Sequence, residues 1–327
     1  MSRTLKTIII GTTLTPGSEG IVRTGAAVAR AAGAAPWLVH AYTPPAFPSE
    51  LGAVDSRWFE DAAEELRQRL HRQASQTGLA DLPGFVSDHA SLVLGAPHHE
   101  LLELVRRAHA DLIVVGASEA GAIHRAFLGS TADRLVRRSL CPVLVVRSET
   151  AFPPSQVLVP IDLSEISAKA LRWGLSFLSQ TGSETAPETT ALFVLNPLEA
   201  TASLQFTQSQ MERFAGEEIR RFVAENTPAA SAVACRLQTG YPREEILSAM
   251  TEQQTDLVIL GTHGRSGLER MMLGSVAVEV LERASCNVLV VPPTAQEETI
   301  AANRDLRGAD WRFISDETRT VAGSLHS

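Results

Sequence analysis

Residues 261 to 275 read Gly-Thr-His-Gly-Arg-Ser-Gly-Leu-Glu-Arg-Met-Met-Leu-Gly-Ser and follow the apolar run Leu257-Val258-Ile259-Leu260. Gly261, Gly264 and Gly274, with the hydroxyl of Ser275 behind them, have the spacing of an anion-binding turn. A glycine just past a buried strand lets the backbone approach a ligand closely, and Gly274-Ser275 opens a helix whose first N–H groups have no partner inside the helix. Those donors suit phosphate. A lone Gly-x-x-Gly is a common turn; the full spacing directly after a strand is what points to a nucleotide. Arg265 and Arg270 add positive charge, and a divalent cation such as Mg or Mn can bridge the phosphates. His263 lies inside the same stretch, as a candidate for chemistry or as a turn residue facing solvent.

Asp162 closes the run Val157-Leu158-Val159-Pro160-Ile161-Asp162 and offers different chemistry, because a carboxylate at a strand end accepts hydrogen bonds from a nucleoside. The same residue can instead cap the helix that follows. Both readings stand at this point. No Gly-x-x-x-x-Gly-Lys-Ser/Thr is present, and Lys6 and Lys169 are the only lysines, which argues against a P-loop motor.

The glycine-rich stretch occurs twice. Aligning Asp111–Val146 with Asp256–Val291 gives 14 identities in 36 positions, with Gly129-Ser130 opposite Gly274-Ser275 and Cys141 opposite Cys286. The chain is therefore two copies of one unit. The first copy keeps Gly116 and Gly129 but has Glu119 where the second has Gly264, and Thr13 where the second has Asp162. A carboxylate at Glu119 repels phosphates.

Each unit alternates short β-branched runs with stretches of helical period, the pattern of parallel strands joined by crossover helices. The expected class is α/β, with two tandem doubly wound units, each a five-stranded parallel sheet with about four helices. In the second unit the strands are read at Gln156 to Ile161, Thr190 to Leu195, Ala232 to Leu237, Leu257 to Leu260 and Asn287 to Val291. One helix begins at Ser164, and others run along Met211, Phe214, Ala215, Ile219, Phe222 and Val223, over Arg243 to Met250, and over Ser275 to Ala284. The first unit places strands at Thr7 to Ile10, Trp37 to Ala41, Ala90 to Val93, Leu112 to Val115 and Val143 to Val146. Its helices fall over Ile21 to Ala32, Arg57 to Gln73, His98 to Arg107 and Ser130 to Arg138. Phe152-Pro153-Pro154 marks a linker, giving domains at 1–148 and 155–293 and a polar tail at 294–327. Ligands of open parallel sheets bind beyond the carboxyl ends of the strands, where strand order switches, and both Asp162 and the glycine stretch fall there.

The chain has 327 residues, 29 basic against 37 acidic, and a formal net charge of −8, which removes any general attraction to nucleic acid or anionic lipid. A nucleotide site must be local. Cys141, Cys235 and Cys286 are too scattered for a disulfide framework or a zinc site and read as buried thiols of a reducing compartment. No apolar run reaches membrane-spanning length and no signal peptide is apparent, so the expected location is cytoplasmic. The adjacent His98 and His99 point to different sides of a helix and so do not share a metal ion. His40, Glu119 and His124 are a further candidate cluster near the first unit's counterpart of the glycine turn. The apolar rows Trp58-Phe59-Leu66-Leu70 and Phe214-Phe222 are read as core or inter-unit packing.

Taken together, Val157 to Asp162 with Ser164, the turn Gly240-Tyr241-Pro242, Asp256 to Gly264, and Gly274-Ser275 followed by Val288 to Val291 resemble a tandem universal stress protein. The resemblance implies a Rossmann-like fold of the adenine nucleotide alpha hydrolase kind. It also implies an ATP site of the Gly-x2-Gly-x9-Gly-Ser type in the second unit. By it, Asp162 and the backbone of Val194 meet the adenine end, Gly261 and Gly264 the ribose and first phosphates, and Gly274, Ser275 and Val276 the outer phosphates. It further implies that the fifth strands pair the two halves within one chain, with a homodimer of chains beyond that. The expected function is an ATP-binding stress-response regulator acting through conformation or assembly. The alternative is a slow ATPase or nucleotide-dependent transferase, for which the Ser-Gly-Gly pyrophosphatase loop and the His-x-Gly-His loop are both missing.

Overall fold

The computed structural model describes residues 4–43, 56–117, 128–147, 152–182, 185–196, 207–229, 231–262 and 273–295. Unit 1 runs β1 (Thr7–Gly11), α1 (Ser18–Ala32), β2 (Ala35–Tyr42), α2 (Ser56–Gln76), a single 3-10 turn at Ser87–His89, β3 (Ala90–Leu94), α3 (Pro97–Ala108), β4 (Leu112–Gly116), α4 (Ser130–Arg138) and β5 (Val143–Val146). Unit 2 runs β6 (Gln156–Ile161), α5 (Glu165–Thr181), β7 (Glu188–Leu195), α6 (Gln208–Asn226), β8 (Val233–Thr239), α7 (Pro242–Glu252), β9 (Leu257–Gly261), α8 (Ser275–Arg283) and β10 (Asn287–Val291).

All ten strands join one sheet in the order β3-β2-β1-β4-β5-β10-β9-β6-β7-β8. Within each unit every pairing is parallel. The units meet at β5 and β10, which pair antiparallel, Val288 with Val145, Leu289 with Leu144 and Val290 with Val143. Strands covered on both faces read as continuous Val/Ile/Leu runs, and the burial of Leu112–Val115 and Val288–Val291 fits that rule. Alternate side chains go to opposite faces. Ile8, Ile10, Leu144, Leu289 and Ile259 pack with α1, α2, α5 and α6 on one side. Ile9, Ile113, Val145, Val258 and Val290 pack with α3, α4, α7 and α8 on the other.

Further contacts tie the halves together. Leu5 N donates to Gln180 Oε1 at 2.7 Å, and Arg147 N donates to Asn287 Oδ1 at 2.9 Å. The Arg147 guanidinium donates to the carbonyl of Leu281 near the end of α8, where a cation is favoured. Phe152, in the segment between the units, meets Phe177 edge-on, and Phe177 in turn stacks on Trp173.

One packing expectation fails. Phe214 is 66% exposed, although Ala215, Ile219 and Val223 of the same helix are buried. The apolar face of α6 is narrower at its first turns than the row of hydrophobic residues suggested. Leu70 is fully buried and Phe222 packs on the core as read, while the side chains of Trp58 and Phe59 lie outside the described residues.

Candidate functional site

Three adjacent strands of unit 2 end together. The register sets Ile161 beside Phe193, so Asp162 follows β6 where Val194 continues β7. On the other side of β6, Val258 of β9 lies beside Leu158, and β9 runs on to Gly261, itself opposite Val291. Strand order switches direction around β6 and β9, the position where open sheets receive ligands.

Asp162 begins a tight turn. Leu163 is left-handed, with φ 64°, and Ser164 is the N-cap of α5, accepting from Ser167 N at 3.2 Å. Asp162 Oδ1 accepts from Ser164 N at 3.0 Å and from Ser164 Oγ at 2.5 Å. Ser164 rather than Asp162 thus caps α5, and Asp162 holds the capping residue in place. A carboxylate carries about four lone-pair sites, so this role and a ligand contact are compatible. Unit 1 keeps the turn without the charge: Leu14 has φ 58°, and the hydroxyls of Thr13 and Thr15 stand 2.7 Å apart. Behind that turn lies a buried network in which Thr12 Oγ1 donates to Gln73 Oε1 at 2.7 Å and Gln73 Nε2 donates to Ser18 Oγ at 2.9 Å.

The start of α8 supplies the donors. Gly274 is the N-cap at φ −60° and ψ 146°, with no side-chain cap, and its N–H donates to Thr262 O at 2.8 Å, tying the helix mouth to the end of β9. Ser275 and Val276 are the first helical residues. The first turn of α8 carries no acid. Unit 1 builds the same mouth, with Gly129 at φ −64° and its N–H on Ala117 O, yet Asp133 stands in the first turn of α4. Negative charge there competes with any bound anion. That second acid is a difference the sequence reading passed over, although it lies within the repeat alignment opposite Val278.

Gly261 makes its close approach to the protein itself. A methyl at its α-carbon would stand 2.6 Å from Ile166 Cγ2 and 3.2 Å from Ile166 O, so the glycine lets α5 seat on the end of β9. Gly264, Arg265, His263 and Arg270 lie outside the described residues, as do Glu119 and His124. His40, of the cluster suggested with those two, has Nδ1 2.9 Å from Thr12 O. Among the described residues no group of His, Cys, Asp and Glu is placed to hold a metal ion, and no helix is long and apolar enough to cross a membrane.

At the opposite, amino-terminal ends of the strands each unit has an aspartate clamp that sequence reasoning missed. Asp256 Oδ2 accepts from Ser155 N, Ser155 Oγ and Gln156 N at 2.9, 2.6 and 3.0 Å. Asp111 Oδ2 accepts from Lys6 N and Thr7 N at 2.8 and 3.0 Å. Burial raises the Asp256 pKa, but the hydrogen bonds from Ser155 and Gln156 outweigh it and hold the carboxyl below its ordinary range. The signal was available, since an aspartate immediately precedes the fourth strand in both copies.

A profile of the universal stress protein family matches residues 4–147 and again residues 155–292. The chain belongs to the universal stress protein family. Among its relatives, a universal stress protein of Mycobacterium tuberculosis is 31% identical over 261 residues, covering 77% of this chain and 83% of that one. A second universal stress protein of that organism is 28% identical over 298 residues, covering 86% and 95%. The crystal structure of a universal stress protein from Archaeoglobus fulgidus superposes with a TM-score of 0.63 at 18% identity, covering 88% of this chain and 98% of that one, and supports the fold. Two universal stress protein units thus share one sheet in this chain.

Proposed function

We propose that this universal stress protein binds ATP in unit 2 and acts as a regulator through the conformation or assembly that the bound nucleotide favours. The observation that carries the reading is the convergence of Asp162, Val194 and Gly261 at the ends of three neighbouring strands, beside the acid-free, uncapped mouth of α8 at Gly274-Ser275-Val276. In this reading Asp162 and the Val194 backbone take the adenine end and Gly261 and Gly264 the ribose and first phosphates. Gly274, Ser275 and Val276 take the outer phosphates. Arg265 and a Mg or Mn ion add charge there. Helix-mouth N–H groups favour an anion by roughly 0.3–1 kcal/mol per charge, so binding depends on several modest contributions acting together.

Unit 1 is a scaffold for unit 2 in this account. Thr13 replaces Asp162, Glu119 replaces Gly264, and Asp133 adds a negative charge at the mouth of α4. The cytoplasm is the proposed location. A homodimer of the chain would use a surface other than the fifth strands, because β5 and β10 already pair with each other. Mass spectrometry of whatever ligand stays bound through gentle purification tests the proposal. An adenine nucleotide at one per chain is expected, and a chain that carries none and takes up none at millimolar ATP refutes it.

A further inference from the structure

We propose that His98, Arg134 and Arg138 form a binding site for a phosphate-type dianion on the α3–α4 flank of unit 1, separate from the nucleotide site of unit 2. Arg134 Nη1 stands 3.3 Å from His98 Nδ1 and 3.4 Å from His98 Nε2, so a guanidinium faces an imidazole with no acid between them. The carboxylates on these two helices contact side chains other than Arg134 and Arg138. Glu103 serves Arg106 and Arg107, Glu100 meets His99 at 3.1 Å, and Asp133 holds Arg137 at 2.8 Å. Among the described residues neither Arg134 nor Arg138 has a carboxylate partner, in a chain with a formal net charge of −8.

The other copy shows what a balanced version looks like. Gly95-Ala96-Pro97 and Gly240-Tyr241-Pro242 correspond, so His98 matches Arg243, and the 145-residue offset matches Arg134 with Glu279 and Arg138 with Arg283. In unit 2 Glu279 accepts from Arg283 at 2.8 Å. Unit 1 has replaced that acid with a second arginine and kept the first. Arg138 follows Arg134 by one turn on α4, so the two permanent guanidinium charges share a helix face, and with the imidazole that Arg134 meets they match an oxyanion carrying two charges and several acceptor oxygens. Burial, then Arg134, Arg138 and His99, holds the His98 imidazole below its ordinary range, so at neutral pH it enters as a neutral donor. A bound dianion screens the arginines and raises the imidazole again.

The test is imidazole NMR of the full chain carrying Gly264→Glu, which removes the proposed unit 2 site, with His98→Gln to assign the signal. Inorganic phosphate is titrated against sodium chloride of equal ionic strength, and AMP forms a parallel arm. Phosphate is expected to shift the His98 signals saturably and to raise their titration midpoint by about 0.5 pH or more. The effect should vanish in Arg134→Gln/Arg138→Gln, whose melting temperature stays that of its parent because both side chains are exposed. Equal action of AMP assigns the site to phosphate esters, and action of phosphate alone assigns it to the free ion. Shifts that sodium chloride reproduces, that survive the double variant, or that require an intact Gly264 would overturn the proposal.

Discussion

Leu144 and Leu289 lie directly opposite each other across the antiparallel β5–β10 pair, and each is the other's counterpart in the repeat. The internal twofold of the chain therefore passes between them, and the pairs Val143–Val290 and Val145–Val288 repeat about it. Both leucines are buried on the face shared by α1, α2, α5 and α6. Leu144→Ala and Leu289→Ala should each lower unfolding stability by about 2–4 kcal/mol. Because they share one packing site, the double variant should depart from additivity by at least about 0.5 kcal/mol in urea unfolding. Strict additivity would place the seam elsewhere.

Gly261 gives a second test. Alanine there meets Ile166, one contact being backbone oxygen, so Gly261→Ala should cost about 1–3 kcal/mol even without nucleotide. Ile166→Ala in the same chain should relieve part of that cost. A stable Gly261→Ala chain that has lost only ligand binding would show instead that the glycine serves the ligand alone.

The Asp256 clamp makes stability depend on acid. A carboxyl held below its unfolded pKa stabilises the fold fully above about pH 4, and the contribution fades as pH falls through the lower folded value. Asp256→Asn should therefore be less stable than the parent at pH 7, by up to about 1 kcal/mol because the amide oxygen still accepts and the site is partly solvated, with the gap narrowing as acid protonates Asp256. Chemical unfolding at a series of pH values measures it; a gap that does not change with pH would contradict the clamp.

Burial governs the thiols. It pushes Cys286 up to about 12 and Cys235 up to about 11, and Cys141 is buried as well. A thiol reagent at pH 8 should leave all three unmodified in the folded chain and react with all three in denaturant. Fast labelling of the native protein would mean that the cores open readily.

Much of this architecture is legible in the residues, and the failures have physical reasons. The bounds of α4 fall where its Gly129-Ser130 start and arginine-rich end place them, and the apolar runs of β4 and β10 sit as expected. The helix α1 begins earlier than the first apolar residue of its stripe, at Ser18, because Gly17 in a left-handed conformation ends the preceding turn. Phe214 misled because hydrophobicity alone does not show how wide a face the sheet covers. Asp162 was legible as an ambiguity: its carboxylate organises Ser164 whether or not a ligand also meets it. The sequence position of Gly261 suggests a ligand contact, whereas close helix packing asks for the same residue.

Isothermal titration of nucleotide-stripped protein decides whether unit 2 alone takes ATP. One ATP per chain should bind, and Gly264→Glu should abolish the signal. Two ATP per chain, none at millimolar concentration, or binding that survives Gly264→Glu would rule out a single site in unit 2.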